Sequence, residues 1–165
     1  MTIHSSHPFA TPPHLRDAAR RLRGRLSSPV TVWAAGAGAA RVGLTVSSVL
    51  VVLGEPARVL GLVDPDSDFA LGLADTFTVS VLEEGDHGLA EAFAGLAPAP
   101  GGLFGQADFL DTAWGPALAD RSWVGVRVES VRELGWSHEV VGVLEEVTLN
   151  ERTPLAHVGG RYRVW

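Results

Sequence analysis

The spacing of apolar and polar residues along the chain predicts a protein built mainly of β-strands. Runs rich in Val, Leu, Phe and Ala alternate with turn residues, which is typical of strands rather than long helices. The predicted strands span residues 30–35, 42–52, 59–63, 77–82, 123–134 and 138–149. Six strands of this kind predict a barrel or a sandwich.

The pattern within the predicted strand 123–134 indicates an irregularity in that strand. From Trp123 to Glu129 apolar and polar residues alternate, as in a strand with one solvated face. The alternation slips near Ser130 and Val131, which predicts a bulge or a bend. The segment from Gly135 to Ser137 then predicts a turn into the last strand.

Three helical segments flank the predicted strands. Leu and Ala recur at helical spacing over residues 14–26, with arginines on much of the remaining surface, so we expect an amphipathic helix lying on a sheet. A short helix is expected to begin near Ser67, and another after Asp86, which would cap it.

Residues 1–13 are polar and contain proline, so we expect a flexible arm followed by a single domain over 14–165. Residues 96–105 form a Pro/Gly-rich loop, of a kind that often serves as a lid or a partner contact.

The amino-acid composition excludes several kinds of catalytic and binding site. The chain has 165 residues, contains no Cys, and all 13 of its basic residues are Arg. These facts exclude disulfides, thiolate metal sites, a cysteine nucleophile and a Schiff-base lysine, so redox chemistry would need a bound cofactor. The net charge of −6 argues against a nucleic-acid surface. No apolar run resembles a signal peptide or could span a membrane, so we expect a cytoplasmic protein.

Several common motifs are absent or incomplete. Residues 36–40 imitate the start of a dinucleotide-binding fingerprint, but Arg41 stands where a small residue is needed, so we expect a hairpin loop there. There is no G-x-S-x-G segment, and the histidines lack ligand spacing apart from His4 and His7 in the predicted arm. The sequence therefore favours neither a hydrolase nor a metal site.

Hydroxyl residues interrupt the predicted strand 42–52. Thr45, Ser47 and Ser48 lie between apolar runs, and a buried hydroxyl without a partner costs about 1–3 kcal/mol. One interpretation is that these groups bond to backbone or to a neighbouring strand. The other is that they bind a ligand with a polar edge, such as a flavin.

The stretch Gly43 to Ser48 resembles the G-[LMV]-T-[AV]-S-S signature of the flavin reductase-like, FMN-binding split-barrel family. Further segments are similar to that family in order and spacing, from about residue 26 to residue 162. They are Gly54-Glu55-Pro56, the strand 59–63 with the D-x-x-S turn from Asp64 to Ser67, the strand 77–82, the L-A-x-x-F-A-G segment 89–95, His138, Pro154-Leu155 and Gly160-Arg161-Tyr162.

The resemblance implies a fold, a reaction and a site. The fold would be a six-stranded split β-barrel with a few flanking helices, forming a homodimer with FMN or FAD at the subunit interface. The protein would pass a hydride from NAD(P)H to the flavin and could supply reduced flavin to a partner monooxygenase. Four residues would contact the flavin ring and ribityl chain: Thr45, Val46, Ser47 and Ser48. Asp64 and Ser67 would lie along the flavin tail and phosphate, His138 near the nicotinamide side or the ring face, and Arg161 and Tyr162 would close the pocket.

The chain also departs from the family pattern. Asp66 and Asp68 flank Ser67, Phe69 replaces a usual Thr, and Ser80 replaces a customary Asn. Carboxylates repel a flavin phosphate unless an arginine intervenes, and the candidates are Arg41, Arg58 and Arg161. A non-catalytic FMN-binding protein and a split-barrel dimer without ligand therefore remain alternatives. His138 could equally be a strand residue bonded to solvent.

The aromatic residues add one expectation. Trp114, Trp123, Trp136 and Trp165 are more than one small barrel readily buries, so we expect a homodimer.

Overall fold

A computed structural model describes residues 18–164 of the chain and shows a mainly β fold. Twelve strands and three α-helices follow one another in this part of the chain. The helices are α1 (Ala18–Arg25), α2 (Asp68–Gly72) and α3 (His87–Phe93). The strands are β1 (Ser28–Pro29), β2 (Thr31–Ala35), β3 (Val42–Val46), β4 (Val49–Val52), β5 (Arg58–Val63), β6 (Thr76–Val81), β7 (Phe109–Thr112), β8 (Gly115–Leu118), β9 (Trp123–Leu134), β10 (Ser137–Thr148), β11 (Leu155–Val158) and β12 (Arg161–Val164).

The main sheet contains seven antiparallel strands in the order β3-β2-β6-β9-β10-β5-β4. Its two edge strands, β3 and β4, are consecutive in the chain and separated only by Ser47 and Ser48. The sheet therefore curls until its edges approach each other. A mainly β fold with a curled sheet and few helices is confirmed, although the six predicted runs form seven strands.

Two hydrophobic cores lie on opposite sides of β2. The first fills the curled sheet, where Trp33 stacks on Phe77 with ring centroids 4.8 Å apart and Phe69 of α2 packs edge-on against both. The second lies under α3 and contains Val32 and Phe93. Because both faces of β2 are covered, every residue of this strand is buried.

Two smaller sheets complete the second core. β1, β11 and β12 form a three-stranded sheet, and β7 pairs with β8.

The loop 96–105 is held in place by hydrogen bonds, since the Gln106 amide donates to the carbonyls of Pro100 at 2.7 Å and Gly102 at 2.8 Å. Phe104 in this loop packs edge-on against Phe93.

The predicted bulge and turns are confirmed. The pairing of β9 with β10 shifts opposite Val141 and Gly142, which leaves Glu129 as the extra residue, one position from the predicted slip. Gly135 adopts a positive φ of 58° in the turn between these strands. Residues 36–40 connect β2 to β3, and residues 38–40 form a 3-10 helix there.

Two predictions about the helices were wrong. Helix α1 forms, but no residue of it is buried, so it does not press its apolar face onto a sheet within the described residues; Leu22 is 61% exposed. Asp86 precedes α3 without capping it, because its carboxylate accepts hydrogen bonds from Arg121 and the Glu83 amide instead. The short helix near Ser67 is confirmed, with the Ser67 hydroxyl accepting from the Ala70 amide at 3.1 Å. The arm 1–13 and residues 14–17 of the first predicted helix lie outside the described residues.

Candidate functional site

The hydroxyl-bearing segment is a connection between two edge strands rather than part of one strand. The prediction of a single strand over 42–52 was wrong, because β3 pairs with β2 whereas β4 pairs with β5. The chain crosses from one edge of the curled sheet to the other at Ser47 and Ser48. The Ser48 carbonyl accepts from the Leu62 amide at 3.0 Å, which holds this crossing against β5.

The three hydroxyls of this segment have different environments. Thr45 donates to the Ala90 carbonyl in α3 at 2.6 Å, so its hydroxyl fastens β3 to that helix. Ser47 is half-buried and Ser48 is exposed, and neither hydroxyl bonds to another described residue. The first interpretation, that these hydroxyls bond to backbone, therefore holds for Thr45. The hydroxyls of Ser47 and Ser48 are available to bind a ligand.

Asp64 and His138 lie at the same end of the sheet as this crossing. His138 of β10 is paired with Val63, the last residue of β5, and Asp64 follows directly. Ser48 approaches β5 from its other side, so Ser48 and His138 are about two strand spacings apart, roughly 10 Å. The structure thus brings together Ser47, Ser48, Asp64 and His138 around the end of β5.

The turn from Asp64 to Ser67 is organised by its own hydrogen bonds. The Asp64 carboxylate accepts from the Asp66 amide at 2.9 Å. The Ser67 hydroxyl donates to the Asp64 carbonyl at 2.7 Å while it caps α2. Asp66 and Asp68 are exposed, and Asp68 lies in the first turn of α2, where a carboxylate favours the helix. The side chains of Asp64 and Ser67 therefore stabilise the turn and the start of α2.

Two departures from the family pattern turn out to be core residues. Phe69 is fully buried against Trp33 and Phe77. Ser80 is also buried, and its hydroxyl accepts from the Leu118 amide at 3.1 Å. Both side chains contribute to packing between elements.

Arg161 and Tyr162 lie elsewhere, on β12 of the three-stranded sheet. They line a groove with a volume of about 570 Å³ between that strand and the turn before α3. Burial, and to a lesser extent the charge of Glu91, raises the pKa of the Tyr162 hydroxyl above its usual range. His87 and Arg163 line the same groove and were missed from the sequence. The alternation Arg-Tyr-Arg along one strand could have indicated Arg163, whereas no sequence pattern indicates His87.

The other two arginines expected to approach a flavin phosphate have other partners. Arg58 lies at the far end of β5 from Asp64 and forms two hydrogen bonds with Glu129, at 2.7 and 2.9 Å. Arg41 donates to the Gly38 carbonyl at 2.9 Å and lies over the Phe104 ring, 4.9 Å from its centroid. Arg161, the third of these arginines, lines the groove beside β12.

Residues 18–164 were considered as a frame for two other features, a metal centre and a membrane-spanning helix, and contain neither. No group of three or more His, Cys, Asp or Glu side chains there is arranged to hold a metal ion. No helix in the same range is long and apolar enough to cross a membrane.

Comparison with known proteins identifies the family. The model of the flavin reductase like domain matches residues 23–165, and the chain belongs to this family. A search of curated protein sequences found no match.

Solved structures with a similar fold include several flavin reductases. The NADH:FAD oxidoreductase SgcE6 of Streptomyces globisporus C-1027 is 29% identical, with a TM-score of 0.80 over 93% of this chain and 94% of that one. The flavin reductase PheA2 is 20% identical, with a TM-score of 0.82 over 94% of this chain and 99% of that one. BorF, the flavin reductase component of a bacterial two-component tryptophan halogenase, is 24% identical, with a TM-score of 0.77 over 88% and 97% of the two chains. The last two likenesses concern the fold alone.

Proposed function

We propose that this protein is an NAD(P)H-dependent flavin reductase that binds FMN or FAD at the crossing between β3 and β4. The observation that carries the proposal is the pair of hydroxyls of Ser47 and Ser48, which lack a partner among the described residues at the mouth of a curled sheet. Membership of the flavin reductase like domain family supports it. A flavin, when bound, supplies the hydride acceptor.

The residues around the end of β5 suit the polar edge of a flavin. Ser47 and Ser48 would donate hydrogen bonds to it, and Val46 is buried behind them as a fixed support. Thr45 would act indirectly, since its bond to Ala90 fixes β3 where the crossing begins. His138 would stand beside the flavin, because it faces the end of β5 from the opposite side. These side chains position and orient the reactants, which is the main contribution of the protein to hydride transfer.

A second copy of this chain is the proposed neighbour of this site. β4 and the residue after it form an apolar strand edge that begins at the crossing, with Leu50 65% and Leu53 89% exposed. Exposed apolar patches of this kind mark interaction surfaces. A homodimer that covers β4 would exclude water from the adjacent flavin.

A partner monooxygenase or halogenase is proposed as the consumer of reduced flavin. BorF is the reductase component of such a two-component system, and SgcE6 is named as an NADH:FAD oxidoreductase. A cytoplasmic location remains a prediction from the sequence. The non-catalytic alternative predicts flavin binding without NAD(P)H oxidation.

The first test replaces both serines with alanine. The S47A/S48A variant is expected to bind flavin more weakly by about 0.5–1.5 kcal/mol for each lost hydrogen bond, with an unchanged free energy of unfolding, because neither hydroxyl has a structural partner. Flavin fluorescence titration and urea denaturation measure the two quantities.

Two further variants serve as controls. Ser130→Ala removes an exposed serine from β9 and should change neither quantity. Thr45→Val should lower the free energy of unfolding by about 1 kcal/mol, because it removes the bond to Ala90. Unchanged flavin affinity in a folded S47A/S48A variant would remove the crossing from the flavin site.

A further inference from the structure

Arg161 and Arg163 are placed on one side of an edge strand. They are two residues apart on β12, so their Cα atoms are about 6.6 Å apart and their side chains leave the same face. Both are exposed, whereas Tyr162 between them is half-buried and packs against the second core. Both arginines are among the residues that line the groove beside the turn before α3.

These two arginines lack the carboxylate partners that other strand arginines have. Arg58, Arg127 and Arg132 each bond to a glutamate, at 2.6–3.2 Å. Neither Arg161 nor Arg163 forms an ion pair with any residue of the described part of the chain. In a chain of net charge −6, two unpaired arginines in one groove form a local concentration of positive charge.

The remaining groups of the groove define what it would accept. Glu84 and His87 also line it, so its lining combines two arginines with one carboxylate and one imidazole. The carboxylate of Glu91 acts on Tyr162 in the same groove. A volume of about 570 Å³ exceeds what a lone phosphate fills and lies in the range of small-molecule sites. Guanidinium groups offer forked donors that match phosphate oxygens.

We propose that this groove binds the phosphate groups of a nucleotide substrate through Arg161 and Arg163. The inference rests on the proposed reductase function, which requires two phosphate-bearing substrates. The phosphate has two sources, the pyrophosphate of the nicotinamide dinucleotide or the phosphate of FMN or FAD. No residue of the acidic turn at Asp64 lines this groove, so the proposal places the nucleotide phosphate on β12 rather than at that turn.

The test measures binding directly, by isothermal titration calorimetry, in the full-length protein. The probes are ADP-ribose, NAD⁺, FMN and riboflavin, and the variants are Arg161→Gln, Arg163→Gln and the double change. Each substitution is expected to weaken binding of the phosphate-bearing probe by about tenfold, while riboflavin binding stays the same. Raising the salt concentration should weaken that binding in the wild type and have less effect in the double variant.

Arg127→Gln is the matched control, because Arg127 is an exposed arginine on β9 of the main sheet, where it pairs with Glu145 and does not line the groove. It should leave the affinity for all four probes unchanged. Thermal melting confirms that each variant folds, and the single variants replace the double one if it does not.

The outcomes separate the two sources. Weaker binding of ADP-ribose and NAD⁺ assigns the groove to the dinucleotide, whereas weaker binding of FMN with unchanged ADP-ribose assigns it to the flavin phosphate. Unchanged affinity for every phosphate-bearing probe in a folded double variant overturns the inference. If the wild type oxidises neither NADH nor NADPH with any flavin, the proposed function fails, while the dependence of ADP-ribose binding on these arginines still reports on the groove.

Discussion

Arg121 joins two buried carboxylates at the junction of β6, α3 and β9. Its Nε atom lies 2.9 Å from Glu83 Oε1 and 2.8 Å from Asp86 Oδ2, and Nη2 lies 2.8 Å from Asp86 Oδ1. Burial opposes the ionisation of Asp86, but hydrogen bonds from Arg121 and the Glu83 amide outweigh it and lower the pKa of the Asp86 carboxyl. Asn150 donates to Glu83 Oε2 at 3.0 Å and extends the cluster to the end of β10.

Removing the arginine should destabilise the protein. Arg121→Gln removes the cation that is hydrogen-bonded to Asp86 and leaves Glu83 only the more distant Arg152, 3.8 Å away. The free energy of unfolding should therefore fall by about 2–4 kcal/mol, measured by urea denaturation at neutral pH. Arg25→Gln, an exposed control, should change it by less than about 0.5 kcal/mol.

The same cluster predicts a pH dependence. Because the pKa of Asp86 is lower in the folded state, its stabilisation is complete above the unfolded carboxyl pKa of about 3.9 and is lost as the pH falls through the folded value. The free energy of unfolding should therefore decline below about pH 4, and less steeply in Asp86→Asn than in the wild type. An identical decline in both proteins would contradict this role, and Asp111→Asn on exposed β7 controls for loss of a carboxylate.

For individual residues, the sequence indicated which polar side chains matter but not their hydrogen-bond partners. Thr45 and Ala90 are 45 positions apart, and Ser80 and Leu118 are 38 apart, so no local pattern shows that these hydroxyls are bonded. The same holds for Arg58 and Glu129, whose pairing depends on the order of strands in the sheet.

Whole strands were easier to predict than their pairing. The runs that became β2, β5, β6, β9 and β10 were placed within one or two residues, because their apolar periodicity is set by burial. The run 42–52 is uniformly apolar at both ends, so periodicity alone could not show that its halves pair with different strands. The hairpin of β11 and β12 was missed, although Gly159 and Gly160, which both take positive φ, are a typical two-residue turn signal.

Close packing between strands predicts a sensitive glycine. A Cβ atom at Gly61 of β5 would lie 2.4 Å from the Trp33 ring, which fills the first core. Gly61→Ala should therefore lower the free energy of unfolding by about 1–3 kcal/mol, measured by urea denaturation.

Gly88 provides the matched control within α3. A Cβ atom there meets nothing within 4 Å, so Gly88→Ala should raise the free energy of unfolding by about 0.5–1 kcal/mol. Equal effects of the two substitutions would show that contact with Trp33 does not limit residue size at Gly61.

Among the described residues, the exposed apolar side chains include those of the edge strand β4 and Leu22 of α1. Trp136 at the tip of the β9–β10 hairpin is also exposed, and Arg20 of α1 lies 6.0 Å from its ring centroid. Of the tryptophans used to predict a dimer, Trp114 and Trp123 pack against each other, and Trp165 lies outside the described residues. The argument for a homodimer therefore rests on these exposed side chains more than on tryptophan count.

The proposed dimer predicts a mass of twice 17.4 kDa at micromolar concentration in sedimentation equilibrium. Val51→Asp places a charge in the middle of the exposed β4 edge and should shift the protein to monomer. Leu71→Asp, on an exposed position of α2, should leave the mass unchanged. A wild type that sediments only as a monomer would rule out this assembly.

Reduction of a flavin by a nicotinamide, followed without oxygen, tests the central claim most directly. Stoichiometric protein and FMN, FAD or riboflavin are mixed anaerobically with NADH or NADPH in a stopped-flow instrument, and the absorbance of oxidised flavin is recorded. We expect this absorbance to disappear with at least one pairing, much faster than without protein, and more slowly in S47A/S48A at subsaturating flavin. Flavin that stays oxidised with both nicotinamides, in a folded protein that binds it, would contradict the assignment as a reductase.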